Sequence, residues 1–396
     1  MSRLIDLITE LCPNGVEYRT LSEVIDYEQP IKYIVESTNY NDDFTIPVLT
    51  AGASFILGYT DETKSIYAAT KACPVIIFDD FTTSFHWVDF GFKVKSSAMK
   101  ILTPKDESIV TLRYLFFAMK CIPFQPSQHA RHWIQMYSKF RIPIPPLPIQ
   151  QQIVRILDKF TTLEVELEAE LTERKKQYEY YRDELLTFGK EIERKFLWEV
   201  TIWDKKFNAV DRYKQSKVIN YPYLLAVELF ALEKDGGNVF LLSTGEKTGW
   251  TTEELAGDNL CEGEVVTIPW GKSRPVKDVI KYYKGKFVTA DNRIATSANT
   301  TILLNKYLYY FLLTQGEVID TFYRGSGIEH PSMKAVLDMQ IPLPRLAEQE
   351  RIVTILDRFD TLCNDLTSGI PAEIEARRKQ YVYYSDKLLT FKEKVL

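Results

Sequence analysis

A charged, tyrosine-rich segment occurs twice in this chain, and the duplication constrains the fold more than any other feature. The copies read RKKQYEYYRDELLTF at 174–188 and RRKQYVYYSDKLLTF at 377–391, with eleven of fifteen positions identical at an offset of 203 residues. The flanks before them also match, IPIPPLPIQQQIVRILDKF at 142–160 against IPLPRLAEQERIVTILDRF at 341–359, at an offset of 199. The second copy therefore contains four additional residues.

Each copy has the periodicity of a long amphipathic helix. Apolar and aromatic residues recur mostly at steps of three and four, which keeps one stripe on one helix face and suits coiled-coil packing. Arg174 interrupts the first stripe, and Gly369 with Pro371 ends one helix of the second copy and starts another. We expect the two stripes to bury each other as an antiparallel pair. The residues assigned to this seam are Ile153, Ile156, Phe160, Leu163, Leu167, Tyr178, Tyr181, Leu185, Ile352, Ile355, Phe359, Leu362, Tyr381, Tyr384 and Leu388.

The regions before the two helices are related as well. VLTAGASFILGYTDE at 48–62 resembles LLSTGEKTGWTTEE at 241–254 around a shared glycine–aromatic–threonine core. YLFF at 114–117 and YLYY at 307–310 precede the two proline-rich entries at similar distances. The chain is thus read as a tandem duplication.

The globular regions have the pattern of mixed α+β domains. Short β-rich runs, PVIIF at 74–78, FGFKV at 90–94 and KFVT at 286–289, alternate with Gly, Asp and Asn turns. The predicted class is α+β, with two mixed α/β domains separated by two long helices that form an antiparallel coiled coil with pseudo-twofold symmetry. The predicted boundaries are a first domain at 1–148, a central helix at 149–189, a second domain at 190–344, and a C-terminal helix at 345–396 broken near 368–371.

The sequence contains few residues in the patterns that catalysis requires. The sequence WGKS at 270–273 resembles the end of a P-loop, but Val266 occupies the position of the first glycine. There is no GxGxxG, and Pro145-Pro146 follows Ile144 where an amino-methyltransferase signature needs Asn, Asp or Ser. His129 and His132 lie three residues apart, yet no third ligand is nearby, so we predict no metal site.

Charge and cysteine content narrow the class of protein. Lys and Arg number 49 against 54 Asp and Glu, a net charge of −5, so any nucleic-acid binding must rest on local patches. Five scattered cysteines without a CxxC pair indicate reduced thiols. No signal peptide and no apolar run of about 20 residues is evident, so we expect a cytoplasmic location.

Local basic patches indicate nucleic-acid binding more strongly than any motif in the sequence indicates catalysis. KSRPVKDVIKYYKGK at 272–286 carries six basic residues against one aspartate, with tyrosines interleaved. Lys and Arg suit phosphates and guanine edges, although a solvated charged face has the same composition. The residues predicted to bind DNA are Lys93, Lys95, Lys100, Arg131, Lys139, Lys272, Arg274, Lys277, Arg293 and Arg324.

These features together resemble the specificity subunit of a type I restriction–modification system. The resemblance rests on two variable domains, each followed by IPxPxLxxQxxIVxILDxF and RxKQYxYYxDxLLTF, and on the opening LCPNGVEYRTLSEV at 11–24. It implies that each domain reads one half of a bipartite, asymmetric DNA target and that the helices set the spacer and dock two modification subunits. S-adenosylmethionine, ATP and Mg²⁺ are then expected on the modification and restriction subunits, and no cofactor on this chain. It also implies that the chain is non-catalytic by itself.

Two other functions are compatible with parts of the pattern. A coiled-coil scaffold or oligomerisation protein would show the same helical stripes without DNA specificity. A self-contained DNA methyltransferase or nuclease would need cofactor motifs that the sequence does not contain.

Overall fold

The chain divides into two compact units, each containing a globular domain and part of the helical repeat. The computed structural model describes residues 2–50, 55–126, 130–272 and 274–394. Unit 1 comprises Met1–Glu168 and Glu373–Leu396, and unit 2 comprises Ala169–Ala372. The division therefore passes through the central helix, which the sequence boundaries had kept whole.

Unit 1 is built on two small sheets. Its helices are α1 (Ser2–Leu11), α2 (Leu21–Val24), α3 (Leu112–Lys120), α4 (His132–Gln135) and the first part of α5 (Leu147–Leu185). Its strands are β1 (Glu17–Thr20), β2 (Ile25–Glu28), β3 (Ile46–Leu49), β4 (Ile56–Thr60), β5 (Val75–Asp79), β6 (Phe85–Val88), β7 (Lys93–Val94), β8 (Met99–Pro104) and β9 (Arg141–Ile144). They form sheets ordered β2-β8-β5-β6 and β4-β3-β7, and β1 pairs with β9.

Unit 2 has one larger sheet. Its helices after α5 are α6 (Leu197–Val200), α7 (Ala226–Ala231), α8 (Glu253–Ala256), α9 (Asn305–Thr314), α10 (Gly316–Asp320), α11 (Met333–Leu337) and α12 (Leu346–Asn364); α13 (Ile370–Leu389) follows and belongs mostly to unit 1. Its strands are β10 (Arg194–Phe196), β11 (Thr201–Trp203), β12 (Val239–Leu242), β13 (Gly249–Thr251), β14 (Cys261–Ile268), β15 (Lys281–Thr289), β16 (Arg293–Ser297), β17 (Tyr323–Arg324), β18 (His330–Pro331) and β19 (Gln340–Pro342). Six strands form the order β11-β16-β14-β15-β12-β13, and β10-β19 and β17-β18 are separate pairs.

The two units share a strand arrangement, which confirms the duplication of the globular regions. In unit 1, β3 pairs antiparallel with β4 and parallel with β7. In unit 2, β12 pairs antiparallel with β13 and parallel with β15. The glycine–aromatic–threonine cores lie on β4 and β13, and Thr60 and Thr251, which end these strands, are fully buried. Residues 51–54 of the matched segment lie outside the described residues.

Antiparallel helix pairing occurs inside each unit. In unit 1 the rings of Phe160 and Tyr384 stack at 5.5 Å, and Arg378 donates to Glu164 and Glu168 at 2.6 Å each. In unit 2 the ring of Phe359 on α12 lies 5.6 Å from that of Tyr181 on α5. The mixed α+β class and the antiparallel pairing predicted from the repeat are thus confirmed.

The second helical copy is interrupted where its glycine and proline predict a break. Helix α12 ends at Asn364 and α13 begins at Ile370. A Cβ atom on Gly369 would lie 2.5 Å from the carbonyl oxygen of Thr361, so a larger residue does not fit without a shift of the backbone. Asp365 accepts from the amide of Thr367 at 2.7 Å and the hydroxyl of Ser368 at 2.6 Å, and these hydrogen bonds lower the pKa of its carboxyl to about 2.

Candidate nucleic-acid interface

A buried glutamine joins each globular domain to its helix. In unit 1 the amide of Gln150 accepts from the Thr111 N–H at 3.0 Å and donates to the Ile109 and Pro145 carbonyls at 2.8 Å each. In unit 2 Gln349 repeats all three contacts with Leu304 at 3.0 Å, Ile302 at 2.8 Å and Pro344 at 3.0 Å. Both side chains are fully buried. The sequence analysis assigned no role to these glutamines, although both stand in the repeated motif.

The helices α3 and α9, which follow the sheets of units 1 and 2, are fixed to equivalent positions of the two helical repeats. The hydroxyl of Tyr114 on α3 donates to the Pro143 carbonyl at 2.9 Å, and Tyr307 on α9 donates to Pro342 at 3.0 Å. Arg113 pairs with Asp158 of α5 at 2.6 Å, and its counterpart Lys306 pairs with Asp357 of α12 at 2.9 Å. These contacts hold each domain in one orientation on its own helix segment.

Two of the lysines predicted to bind DNA lie inside unit 1. Lys93 has a side chain that is 3 % exposed; it forms an ion pair with Glu62 and donates to the Lys64 carbonyl at 3.0 Å. Lys100 is 1 % exposed and pairs with Asp80 at 3.2 Å. Because a buried charge needs a close partner, both lysines stabilise the domain interior and present no charge to a phosphate. We therefore correct their assignment to a DNA surface.

The Lys100–Asp80 pair has a positioning role. Asp80 also accepts from the Trp133 N–H at 2.9 Å through its carboxylate and from the His132 N–H at 2.7 Å through its carbonyl. It thereby fixes the start of α4, a short helix that carries exposed side chains between two further candidates, Arg131 and Lys139. Both candidates are exposed, as is Lys95, and His129 lies outside the described residues.

In unit 2 the structure brings three predicted cations around one aromatic stack. The ring of His330 lies 4.0 Å from that of Trp270, and the guanidinium of Arg293 lies 3.9 Å from the Trp270 ring centre. The backbone N–H of Lys272 donates to the Glu329 carbonyl at 3.0 Å, which places Lys272 beside the backbone that carries His330. Exposed Arg324 is the cross-strand neighbour of His330 in the β17–β18 pair. These residues are up to 60 positions apart in sequence, so only the fold joins them.

The assignment of Arg293 to a DNA surface is corrected as well. Its side chain is 8 % exposed and pairs with Asp291 at 2.9 Å, while its buried Nε has no hydrogen-bond partner among the described atoms. Asp291 also forms an ion pair with Lys205, whose ammonium lies 3.6 Å from the ring centre of Tyr223. Arg293 therefore supports the Trp270 stack from within. Lys205 and the exposed Tyr223 were missed, because their partners lie far along the chain.

The basic stretch at 272–286 is less positive than its composition indicates. Five of its cations have polar partners: Lys272 pairs with Asp320 at 2.9 Å, Arg274 with Glu246, Lys284 with Glu264 at 3.5 Å and Lys286 with Glu253 at 2.8 Å, and Lys281 donates to the Ser243 carbonyl at 2.7 Å. Burial lowers the pKa of Lys281 to about 8. Lys277 is exposed and lies in a cleft of about 380 Å³ with Arg182 and Lys175. Partners therefore offset most of the positive charge of this stretch, and only local positive patches remain on unit 2.

The residues assigned to the helical seam differ in burial. Ile153, Tyr178, Ile352 and Leu388 are at least nine-tenths buried, whereas Leu163, Tyr181 and Leu362 are 37–42 % exposed. The other eight are partly buried: Ile156, Phe160, Leu167, Leu185, Ile355, Phe359, Tyr381 and Tyr384. The helix pair thus leaves part of its apolar surface uncovered.

Metal binding and membrane insertion are two further functions on which the geometry bears. Among the described residues, no group of three or more His, Cys, Asp or Glu side chains is arranged to hold a metal ion. No helix in this part of the chain has the length and apolar character required to cross a bilayer.

Comparison with known proteins places these features in a family. The sequence profile described as the type I restriction modification DNA specificity domain matches residues 13–175 and 227–376. A type I restriction enzyme specificity subunit of Escherichia coli is 39 % identical over 403 residues, covering 95 % of this chain and 94 % of its own. A Haemophilus influenzae protein whose name reads "putative type I restriction enzyme specificity subunit" is 30 % identical over 399 residues, covering 95 % of this chain and 96 % of its own.

Solved structures show the same fold at low sequence identity. The S subunit of a type I restriction–modification system from M. genitalium superposes with a TM-score of 0.60 at 14 % identity, covering 95 % of this chain and 97 % of its own. A structure from a study of complex assembly in a type I restriction–modification system gives a TM-score of 0.51 at 14 % identity, with 95 % and 98 % coverage.

Proposed function

The chain belongs to the family of type I restriction–modification DNA specificity proteins, and from this premise we propose that each of its two units reads one half of a bipartite DNA target. It is the DNA-recognition subunit of such a complex and is not an enzyme by itself. The observation that carries the two-reader proposal is the repeated joint at Gln150 and Gln349, which fixes two differently shaped domains to two equivalent helix segments. Equivalent joints suit a common partner, and different domains suit different half-sites.

The proposed DNA surface uses the exposed cations. In unit 1 these are Lys95, Arg131 and Lys139, and in unit 2 they are Arg274, Lys277 and Arg324 together with the partly exposed Lys272. Basic side chains at a protein surface bind phosphates and guanine edges. In unit 2 Lys272 and Arg324 are backbone neighbours of the Trp270–His330 stack, which favours their contact with DNA in a fixed register.

The helices are proposed to dock two modification subunits and to set the spacing between the half-sites. Helix α5 contributes residues to both units, so its length is a candidate ruler. S-adenosylmethionine, ATP and Mg²⁺ would be held by the modification and restriction subunits. Restriction subunits would join through the assembled complex.

The test is a pair of single substitutions in the assembled methylating complex, Arg131→Ala in unit 1 and Arg324→Ala in unit 2. Each should relax recognition of one half-site only, and a base-contacting arginine should cost about 1–3 kcal/mol in specific binding. Sequencing-based methylation mapping reads both halves at once. Equal relaxation of both halves by either variant would contradict the two-reader proposal, and unchanged DNA binding by both would favour the scaffold alternative.

A further inference from the structure

The short helix α4 and the residue after it form an exposed apolar projection on unit 1. Ile134, Gln135 and Met136 are exposed in succession, and the two apolar residues among them are 58 % and 50 % exposed. The residues on either side, 132–133 and 137–138, are buried. The α4 projection, residues 134–136, therefore has a packed base and an open tip. Apolar side chains that are adjacent on one exposed tip mark a site of interaction more often than scattered ones do.

The base of the α4 projection is held by aromatic packing and by a buried carboxylate. The ring of Trp133 lies 4.9 Å from that of Phe78 on β5 and stacks at 6.1 Å on that of Tyr137. The Trp133 N–H donates to the Asp80 carboxylate at 2.9 Å, and Lys100 neutralises that carboxylate. Because these contacts order the backbone in advance, the exposed tip can meet a ligand at little cost in conformational entropy.

Charge around the α4 projection favours DNA as its ligand. Arg131 precedes the projection and Lys139 follows it; both side chains are exposed, and neither forms an ion pair within the part of the chain that the structure describes. Positive charge on both sides of an apolar tip suits a polyanion that also presents apolar groups. Duplex DNA has this character, since thymine methyl groups lie in the major groove between the phosphate backbones, and that groove, about 12 Å wide, admits an α-helix.

The residue types at the tip match one kind of base pair. In the major groove an A·T pair presents the N7 acceptor and the N6 donor of adenine beside the C5-methyl group of thymine. A glutamine amide can form hydrogen bonds with both adenine atoms, and an apolar side chain can contact the methyl group. Gln135 lies between Ile134 and Met136, so adjacent residues supply both kinds of contact. A G·C pair has no methyl group and would leave the apolar side chains without a partner.

The matched element of unit 2 has no apolar projection. Helix α11 lies before β19 as α4 lies before β9. Its Met333, Val336 and Leu337 are buried, and Lys334 is its exposed residue. The duplication therefore carries an apolar tip in unit 1 alone, which suits two domains that read different half-sites.

We propose that the α4 projection reads an A·T base pair of the unit 1 half-site from the major groove. Gln135 hydrogen-bonds to the adenine edge, and Ile134 and Met136 contact the thymine methyl group. Arg131 and Lys139 add electrostatic attraction for the duplex on either side. This rests on the proposed function, since it names a base pair that one of the two readers recognises.

The first experiment maps methylation by the assembled complex. Gln135→Ala, and separately the double variant Ile134→Ala with Met136→Ala, should each relax one A·T position of one half-site and leave the other half-site unaltered. The half-site concerned should be the one that Arg131→Ala relaxes. Lys334→Ala, on the matched helix of unit 2, should not alter that position. The substituted side chains are all exposed, so the fold should be retained, which thermal unfolding against the unchanged chain checks.

Base analogues test the two contacts without a further change to the protein. Deoxyuridine in place of thymidine at the relaxed position removes only the methyl group, and should weaken DNA binding by the unchanged complex about fourfold. It should weaken binding by the double variant no further. Replacement of the adenine by 7-deazaadenine removes N7, and should cost the unchanged complex about fivefold in affinity and the Gln135→Ala complex nothing more.

The outcomes separate this proposal from the proposed function. Methylation without any sequence preference would contradict the proposed function itself. If Arg131→Ala relaxes one half-site while the α4 variants relax no position or only a G·C position, the A·T proposal is refuted and the proposed function stands. The same conclusion follows if methyl removal weakens the double variant as much as the unchanged complex, or if the variants lose modification subunits in native mass spectrometry while reading DNA normally.

Discussion

Replacing Gln349 with leucine should selectively loosen unit 2. The substitution nearly conserves volume but leaves the Leu304 N–H and the Ile302 and Pro344 carbonyls without the partner that now lies 2.8–3.0 Å away. An unsatisfied buried backbone group costs about 1–3 kcal/mol. An unpaired buried carbonyl costs less free energy than an unpaired N–H, and burial of the leucine side chain offsets part of the loss. We therefore expect the free energy of unfolding to fall by about 3–5 kcal/mol. That is a large fraction of the roughly 5–15 kcal/mol that stabilises a domain.

The assay is urea unfolding followed by hydrogen exchange at peptide resolution. Gln349→Leu should lower the free energy of unfolding reported by unit 2 peptides and leave unit 1 peptides unchanged; Gln150→Leu should do the reverse. The control is Glu350→Leu, a neighbouring exposed position, which should change stability by no more than about 0.5 kcal/mol. A loss below about 1 kcal/mol, or a loss shared equally by both units, would refute the idea that this amide joins each domain to its helix.

The remaining expectations concern activity, packing, pH and length. The purified chain should show no methylation or cleavage with S-adenosylmethionine and ATP, and turnover abolished by a point change within it would contradict this. Leu388→Asp places a carboxylate at a 6 % exposed position and should cost several kcal/mol, measured by thermal unfolding against Val382→Asp, at a site that is 66 % exposed. Burial raises the pKa of Asp204 to about 6; because the unfolded carboxyl ionises first, stability should fall by about 3 kcal/mol as pH rises from about 4 to 6. Asp204→Asn should remove that fall in denaturation midpoints at pH 4.5 and 7, and an unchanged profile would refute the assignment. Duplicating Glu168–Leu171 lengthens α5 by about 6 Å and should lengthen the unread spacer by roughly one to two base pairs at about 3.4 Å each; methylation mapping that shows an unchanged spacer would refute the ruler.

The helical repeat was predictable because its signal is local. Steps of three and four residues determine one helix face, and Gly369 with Pro371 determines where the second copy breaks, so both features could be read without knowledge of the fold. The run at 74–78 lies almost entirely in the buried strand β5. The run at 90–94 forms a ladder only at Lys93–Val94, because the preceding residues make a single bridge from Phe92 to Tyr67.

The burial of the candidate cations could not be predicted, because it depends on partners distant in sequence. Lys93 is neutralised by Glu62, 31 residues away, and the guanidinium of Arg293 lies on Trp270, 23 residues before it. A lysine or arginine has the same local pattern whether it points to solvent or to a buried carboxylate. Gln150 and Gln349 were equally inconspicuous, since a glutamine in a helical stripe gives no sign that its amide binds two backbone groups of the preceding domain and one of the proline-rich entry.

The joint between helix end and first strand is covalent in unit 2 and reversible in unit 1. In unit 2 the backbone continues from the end of α5 at Leu185 through eight residues into β10 at Arg194. In unit 1 the Val16 N–H and carbonyl bond to Lys392 and Lys394 at 2.9 Å each, and Arg141 pairs with Glu393 at 2.6 Å. Hydrogen bonds open transiently where a continuous backbone cannot, so local unfolding of unit 1 should begin here. The joint is then permanent in unit 2 and can open in unit 1, and limited proteolysis should first attack the segment beyond Phe391.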